Sequence, residues 1–185
     1  TRWATHGEPS DINSHPHQAS KGDITVVHNG IIENYAELTK FLKDKGYEFK
    51  SATDTEVIPN LIHYYYNGDL FEAVAKTIER LEGSYALGVI CGNEPDKIVA
   101  VRKDSPLIVG LGDNEKFIAS DIPAVLNYTR DIYLLEDKEI VVITKNSAEV
   151  FNLNGEKISK EIYKVTWNED AAEKGGYDSF MLKEI

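Results

Sequence analysis

The stretch SYALGVICGNEPDKIVAVRK, from Ser84 to Lys103, contains the pattern that sets the fold class. Two β-rich runs are separated by the turn residues Asn93-Glu94-Pro95, which is typical of two short neighbouring strands. The chain after it repeats this alternation of short apolar runs and turns, in the segments PLIVGLG, KFIASD, IYLLED, EIVVITK and AEVFNLNG. IPAVLN, residues 122–127, interrupts these runs, and we expect one helical turn there.

The chain before this stretch is helical in character. Apolar residues recur at helical spacing over residues 35–45, 55–66 and 70–81, which predicts three amphipathic helices. Gly83 is expected to end the third helix.

One predicted strand precedes the helices. ITVVH, residues 24–28, is typical of a short buried strand, and we expect it to end in a turn at Asn29-Gly30. Asn34 is the predicted N-cap of the first helix. Helices flanked by many short strands predict an α+β layered domain with a mostly antiparallel sheet.

Composition excludes several classes of function. The 185 residues suit one domain, and 42% hydrophobic with 28% charged residues is typical of a folded soluble protein. A net charge of −11 repels phosphate backbones, so we expect no nucleic-acid partner. No apolar run reaches the roughly 20 residues that span a bilayer, so we expect no membrane partner and a cytoplasmic location. The single cysteine, Cys91, excludes an intrachain disulfide and a cysteine-built zinc site.

Three polar clusters crowd into the first part of the chain: TRWATHGEP at residues 1–9, VVHNGIIEN at residues 26–34 and TDTE at residues 53–56. Their side chains suit a small zwitterion that carries a reactive carbonyl, such as an amino acid amide. Arg2 is a candidate for a two-pronged ion pair with a carboxylate, and Asp54 for an ion pair with an ammonium. An oxyanion can be stabilised by the side-chain amide of Asn29 together with the backbone N–H of Gly30.

Each cluster also has a purely structural explanation. The first suits a frayed terminus, and the second suits an ordinary Asn-Gly turn between strand and helix. In the third, Thr53 or Asp54 is a candidate cap of the following helix, with Glu56 in its first turn.

Other reactive residues offer weaker candidates. The histidines His6, His15, His17 and His28 share one segment, but no cysteine or carboxylate spacing supports a closed metal site, so no metal or other cofactor is expected. Cys91 lies in an apolar run that predicts a buried strand, where a thiol is inert. Thr1 is formally an N-terminal threonine nucleophile.

Several motifs together resemble one family. They are TRWATHG at residues 1–7, Asn13 with His15-Pro16-His17, VHNGIIEN at residues 27–34, TDTEV at residues 53–57, SPL at residues 105–107, FIASD at residues 117–121 and FMLKEI at residues 180–185. In this order and spacing they resemble the glutaminase domain of the glutamine–fructose-6-phosphate amidotransferases, which are class II glutamine amidotransferases. The resemblance runs the whole length of the chain, residues 1–185.

The resemblance implies a four-layer αββα sandwich of the N-terminal nucleophile hydrolase type. It also implies a domain that binds glutamine and supplies its ammonia for making glucosamine 6-phosphate from fructose 6-phosphate. Arg2 would then bind the α-carboxylate of glutamine, Asp54 would bind its α-amino group, and Asn29 with Gly30 would form the oxyanion hole. A mobile loop that closes over glutamine would include Trp3, Thr5 and His6. The implied partners are glutamine and a sugar isomerase domain. A homo-oligomer is also expected, because the loss of early strands would leave a sheet edge and core surface uncovered.

The chain departs from this family in one respect that bears on activity. The family's nucleophile is an N-terminal cysteine, and TRWATHG is an internal motif there, so we expect a glutaminase domain that lacks its N-terminal segment and first strands. The isomerase domain is also absent from residues 1–185. We therefore expect these residues alone to be inactive. The alternatives are a non-catalytic module that binds glutamine or another protein, and a different class II glutamine amidotransferase.

Overall fold

A computed structural model describes residues 6–167 of the chain. Two antiparallel sheets dominate it. The larger sheet has seven strands in the order β1-β2-β3-β4-β8-β9-β10, and the smaller has four in the order β11-β7-β5-β6. The strands are β1 (His17–Gln18), β2 (Ile24–Ile32), β3 (Gly83–Cys91), β4 (Ile98–Lys103), β5 (Ile108–Leu111), β6 (Lys116–Ala119), β7 (Asp131–Leu134), β8 (Ile140–Ile143), β9 (Ala148–Phe151), β10 (Lys157–Ile158) and β11 (Tyr163–Lys164).

Three α-helices separate β2 from β3 along the chain. They are α1 (Tyr35–Asp44), α2 (Val57–Tyr65) and α3 (Leu70–Ile78), and 3-10 turns occur at Asp11–Asn13 and Ile122–Val125. Each helix lies within a predicted range and begins or ends up to three residues inside it. Across residues 6–167, no helix has the length and apolar character needed to cross a membrane.

Three apolar clusters define the layers. In the first, buried side chains of α1–α3, such as Leu38, Leu61 and Val74, pack with β2 and β3 residues that face the helices. The second lies between the two sheets and includes Ala86 of β3 and Val109 of β5. The third lies on the outer face of the small sheet, against the 122–125 turn. This succession of helices, sheet, sheet and outer turn confirms the predicted α+β layered fold.

The predicted turn at Asn29-Gly30 is wrong. β2 continues through both residues to Ile32, with Gly30 opposite Tyr85 and Ile32 opposite Gly83 of β3. The two strands stay paired because glycine occupies the positions of closest approach. A Cβ on Gly30, whose φ is +135°, would lie 2.2 Å from the carbonyl oxygen of Ser84. Gly83 opens β3 and does not end α3, which closes at Ile78.

Asn34 occupies the predicted N-cap position of α1, but its side chain makes no capping bond. The side-chain amide instead donates to the Arg80 carbonyl at 2.8 Å and accepts from the Glu82 N–H at 3.1 Å. It therefore joins the start of α1 to the segment before β3. Neither Thr53 nor Asp54 caps α2, since both bind partners on other parts of the chain.

Candidate functional site

Asp54 is a buried carboxylate beside the edge of β2. The residue is 2% exposed, and it belongs to no helix or strand. Oδ2 accepts a hydrogen bond of 2.7 Å from the backbone N–H of Ile32, the last residue of β2. Because a buried carboxylate is costly unless its charge is compensated, this site favours a cationic ligand near the second oxygen.

The two residues beside Asp54 are held by buried histidines. Thr55 Oγ1 lies 2.9 Å from Nδ1 of His28, and Thr53 Oγ1 lies 3.4 Å from Nε2 of His17. The ring of His15 packs against both histidines, with centroid distances of 5.3 Å to His17 and 6.5 Å to His28. The position of Asp54 is therefore fixed from both sides along the chain.

His28 is neutral at physiological pH. Burial lowers its pKa from 6.5 to about 4, even though the negative charge of Asp54 acts to raise it. The neighbouring His15 and His17 lower the pKa further, while a backbone contact with Ser84 raises it. A neutral His28 leaves the charge of Asp54 uncompensated from this side, so that charge stays available to a ligand.

Glu56 stabilises the loop that leads into this site. Its carboxylate accepts hydrogen bonds from the backbone N–H groups of Lys50 and Ser51 and one of 2.6 Å from the Ser51 hydroxyl. The sequence predicts Glu56 in the first turn of the helix, where its charge would interact favourably with the helix dipole. In the structure it occupies the N-cap position of α2 without a side-chain cap bond, and it holds the preceding loop instead.

His6 lies near the second carboxylate oxygen of Asp54. Its Nδ1 is 3.8 Å from Oδ1 of Asp54, and its ring packs edge-on against Tyr35 at 5.3 Å between centroids. The structure thus brings together two predicted site residues, His6 and Asp54, that lie far apart in the sequence. Arg2, Trp3 and Thr5, the other predicted binding residues, lie outside the described residues.

The backbone N–H of Gly30 emerges at the same strand edge as Asp54. On this edge the carbonyl of Ile24 accepts a hydrogen bond from the N–H of Ala19, and the N–H of Ile32 donates one to Asp54. Backbone groups of alternate residues point to the same edge of a strand, so Gly30 shares this direction. It lies roughly 7 Å from Ile32 along the strand. That spacing is comparable with the length of an extended glutamine.

Asn29 projects from the sheet face that looks toward the small sheet. It is exposed, and it pairs with Ala86 in the register of β2 and β3. Beside it lies a cavity of about 190 Å³, which Leu107, Ile118 and Ser120 also line. The amide of Asn29 and the N–H of Gly30 come from consecutive residues, so they are candidates for the two donors of an oxyanion hole.

A larger cleft lies elsewhere on the molecule. It has a volume of about 950 Å³ and an apolar floor formed by Ile90, Ile98 and Ile143. None of the predicted site residues lines it, so we place the candidate site at Asp54 and Gly30. Within residues 6–167, no group of three or more His, Cys, Asp or Glu side chains is arranged to hold a metal ion.

Cys91 is buried, as the sequence predicts. It is 2% exposed at the end of β3, where it pairs with Ile24. It lies six positions along β3 from Tyr85, the partner of Gly30, which corresponds to roughly 20 Å. Cys91 therefore does not reach the candidate oxyanion hole.

Sequence reasoning missed the residues that support the site. They are Asn13, His17, His28, Thr53, Thr55 and Glu56. The motifs that carry the resemblance contain all six, but their role depends on contacts between segments far apart in the chain. The signal in the sequence is the alternation of hydroxyl and carboxylate side chains in TDTE, together with histidines in two other motifs.

A family model described as a glutamine amidotransferase domain matches residues 5–127. This chain belongs to that family. It is 70% identical over all 185 residues to the glutamine–fructose-6-phosphate aminotransferase (isomerizing) of Clostridium tetani, 68% to that of Clostridium perfringens and 51% to that of Thermotoga maritima. The chain spans 30% of the length of each of these relatives.

Solved structures support the fold of the glutamine amidotransferase domain. A glutamine phosphoribosylpyrophosphate amidotransferase from B. subtilis, solved with ADP and GMP, superposes with a TM-score of 0.69 at 22% identity, over 82% of this chain and 33% of that one. A second structure, described as the allosteric regulatory enzyme of purine biosynthesis, gives a TM-score of 0.64 at 18% identity, over 75% and 30% of the two chains. This likeness confirms the predicted layered sandwich fold.

Proposed function

We propose that this domain binds glutamine and hydrolyses its side-chain amide, so that the nitrogen leaves as ammonia. The observation that carries the proposal is the placement of Asp54. It is a buried carboxylate with one oxygen held by Ile32 and the other beside the His6 segment, at the strand edge that also presents Gly30. An amino acid amide has an ammonium and a carbonyl at a spacing that suits these two groups.

The proposed roles follow from charge and geometry. Asp54 binds the α-ammonium group, and Arg2 binds the α-carboxylate through its two-pronged guanidinium. Asn29 and Gly30 donate hydrogen bonds to the oxygen that becomes negative when the amide carbon is attacked. Trp3, Thr5 and His6 belong to the loop that closes over the ligand and excludes water.

The reaction needs a nucleophile that the described residues do not offer near Gly30. A thiolate would attack the amide carbon, ammonia would leave, and water would then cleave the thioester to give glutamate. Since Cys91 is buried roughly 20 Å along β3 from the candidate site, we place the nucleophile on a cysteine outside these 185 residues.

The names of the relatives suggest where the ammonia is used. We propose that a sugar isomerase domain in the same enzyme takes it up and converts fructose 6-phosphate into glucosamine 6-phosphate. A homo-oligomer is part of this proposal. Sedimentation of the full-length protein tests it, and a single monomeric species over a wide concentration range would count against it.

Ammonia release is the direct test of the proposed function. The full-length protein is incubated with glutamine, and ammonia and glutamate are measured together. Equal amounts of both products, lost in an Asp54→Ala variant, support the proposal. Calorimetric binding of glutamine without any product would favour the alternative of a non-catalytic binding module. Absence of both binding and turnover would overturn the assignment of a glutamine site.

A further inference from the structure

Asn13 is a buried amide that joins the two segments of the candidate site. It lies at the end of the Asp11–Asn13 turn and is 5% exposed. Its Oδ1 accepts a hydrogen bond of 2.9 Å from the backbone N–H of Ala52, 39 residues away. Its Nδ2 donates a hydrogen bond of 2.8 Å to the backbone carbonyl of Glu8.

The two partners lie next to site residues in the chain. Ala52 comes two residues before Asp54, and Glu8 comes two residues after His6. The Asn13 amide is therefore a direct connection between the segment that holds the carboxylate and the segment that approaches it. A side-chain amide is the group that donates and accepts at once with this geometry, whereas a carboxylate only accepts.

Gly7 shows how closely the 6–8 segment packs on this amide. Its φ is +76°, and a Cβ there would lie 2.9 Å from Nδ2 of Asn13 and 3.2 Å from the carbonyl oxygen of Ala52. The backbone of the segment thus rests directly on Asn13 and Ala52. Only a residue without a side chain fits at this distance and in this left-handed conformation.

We propose that Asn13 is a positioning residue for glutamine binding. It fixes the Gly7–Glu8 backbone to Ala52, and so sets the distance at which His6 faces Asp54. It touches no ligand. The inference rests on the proposed function, because it concerns how the same glutamine site is held together.

The main test replaces Asn13 with aspartate in the full-length protein. Asn13→Asp keeps the size and the acceptor for Ala52, but it places a carboxylate oxygen against the Glu8 carbonyl. We expect the glutamine KM and Kd to rise about tenfold, the scale of one lost buried hydrogen bond with repulsion added. The kcat is expected to stay within about twofold of the wild-type value, because the oxyanion hole on β2 is unchanged.

Asn60 provides a matched control. It is also a fully buried amide that bridges two segments, accepting from the Ser20 N–H at 2.8 Å and donating to the Glu56 carbonyl at 3.0 Å. Asn60→Asp loses a comparable buried hydrogen bond, the one to the Glu56 carbonyl, at a residue that does not contact the 6–8 segment. It should therefore lower the melting temperature and leave the glutamine KM unchanged. If KM increased equally in both variants, general destabilisation would explain the effect of Asn13→Asp, and the proposal would be overturned.

A double-mutant cycle keeps the proposal testable if one variant is poorly stable. Gly7→Ala perturbs the same contact from the opposite side, so the effects of Gly7→Ala and Asn13→Ala on the glutamine Kd should be strongly non-additive. Additive effects would overturn the positioning role. Failure of the wild-type protein to bind glutamine would instead overturn the proposed function, and the two results are distinguished by the wild-type titration.

Discussion

The carboxylate of Asp54 accepts a hydrogen bond of 2.7 Å from the backbone N–H of Ile32. This contact ties a loop residue to the open edge of β2, where β1 pairs only with Thr25 and Val26 among the residues that the structure describes. Oδ2 of the carboxylate accepts this bond, and Oδ1 lies 3.8 Å from Nδ1 of His6. The same strand edge carries Gly30, so binding and oxyanion groups share one rigid support.

Neutralising Asp54 should weaken glutamine binding. Asp54→Asn keeps an acceptor for Ile32 but removes the charge that we assign to the ammonium group. We expect the glutamine Kd to rise by about 10- to 100-fold, as for the loss of one charge-assisted contact. Calorimetry on the full-length protein measures it. Asp121→Asn, at an exposed carboxylate without a capping bond, is the control, and an unchanged Kd for Asp54→Asn would contradict the role.

Removing the Asn29 amide should slow turnover more than it weakens binding. Its proposed hydrogen bond strengthens as the oxyanion forms, so Asn29→Ala should lower kcat by about 10²- to 10³-fold with little change in KM. Steady-state kinetics of ammonia release provide the measurement. A change confined to KM would show that Asn29 binds ground-state substrate and does not serve the oxyanion.

Gly30→Ala should destabilise the fold through a steric clash with β3. The added Cβ would lie 2.2 Å from the Ser84 carbonyl oxygen, so the two paired strands would have to separate. Gly68→Ala is the matched control, since Gly68 also has a positive φ, of +106°, but its Cβ would meet no atom within 4 Å. We expect a loss of about 1–2 kcal/mol at Gly68 and more than about 3 kcal/mol at Gly30. Equal losses in urea unfolding would disprove the close-approach explanation.

Stability should fall as the pH drops from about 6.5 to about 4, because of His28. Its pKa is about 4 in the folded state against 6.5 for an unperturbed histidine, so within this window the unfolded chain takes up the proton first. The stability contributed by His28 is fully present above pH 6.5 and is lost as the pH falls toward 4. The loss is about 3 kcal/mol. Burial also lowers the pKa of His63, which acts in the same direction.

Urea unfolding at several pH values measures this dependence, with His28→Asn as the test variant. Asparagine lacks the titrating ring but retains a polar atom near the position that faces Thr55. The slope of stability against pH between 4 and 6.5 should become shallower in this variant, with the His63 contribution remaining. An unchanged slope would show that His28 does not carry the effect.

A polypeptide of these 185 residues should release no ammonia from glutamine. Its single thiol, Cys91, is buried and pairs with Ile24 at the far end of β3 from Tyr85. Ammonia production by the purified polypeptide, abolished by Asn29→Ala but retained by Cys91→Ala, would contradict this expectation and reveal another nucleophile.

The elements of the fold were largely predictable from local patterns. Alternating short apolar runs and turns predicted the strands after Gly83, and helical spacing predicted α1, α2 and α3, because each pattern reflects contacts within a few residues. The errors fell where distant segments meet. Asn29-Gly30 is typical of a turn when taken alone, yet it continues β2 because Gly30 can lie against Ser84.

The candidate site divides in the same way. The sequence by itself determined which chemical groups are available, since Arg2, Asn29, Gly30 and Asp54 stand in motifs that carry the family resemblance. Only the tertiary structure decided that the Thr53–Thr55 segment binds buried histidines instead of capping α2, and that the Asn13 amide joins Glu8 to Ala52. Local propensity cannot reveal such contacts, because a polar side chain satisfies its hydrogen bonds equally well within its own turn or across the fold until the packing of the sheets fixes its neighbours.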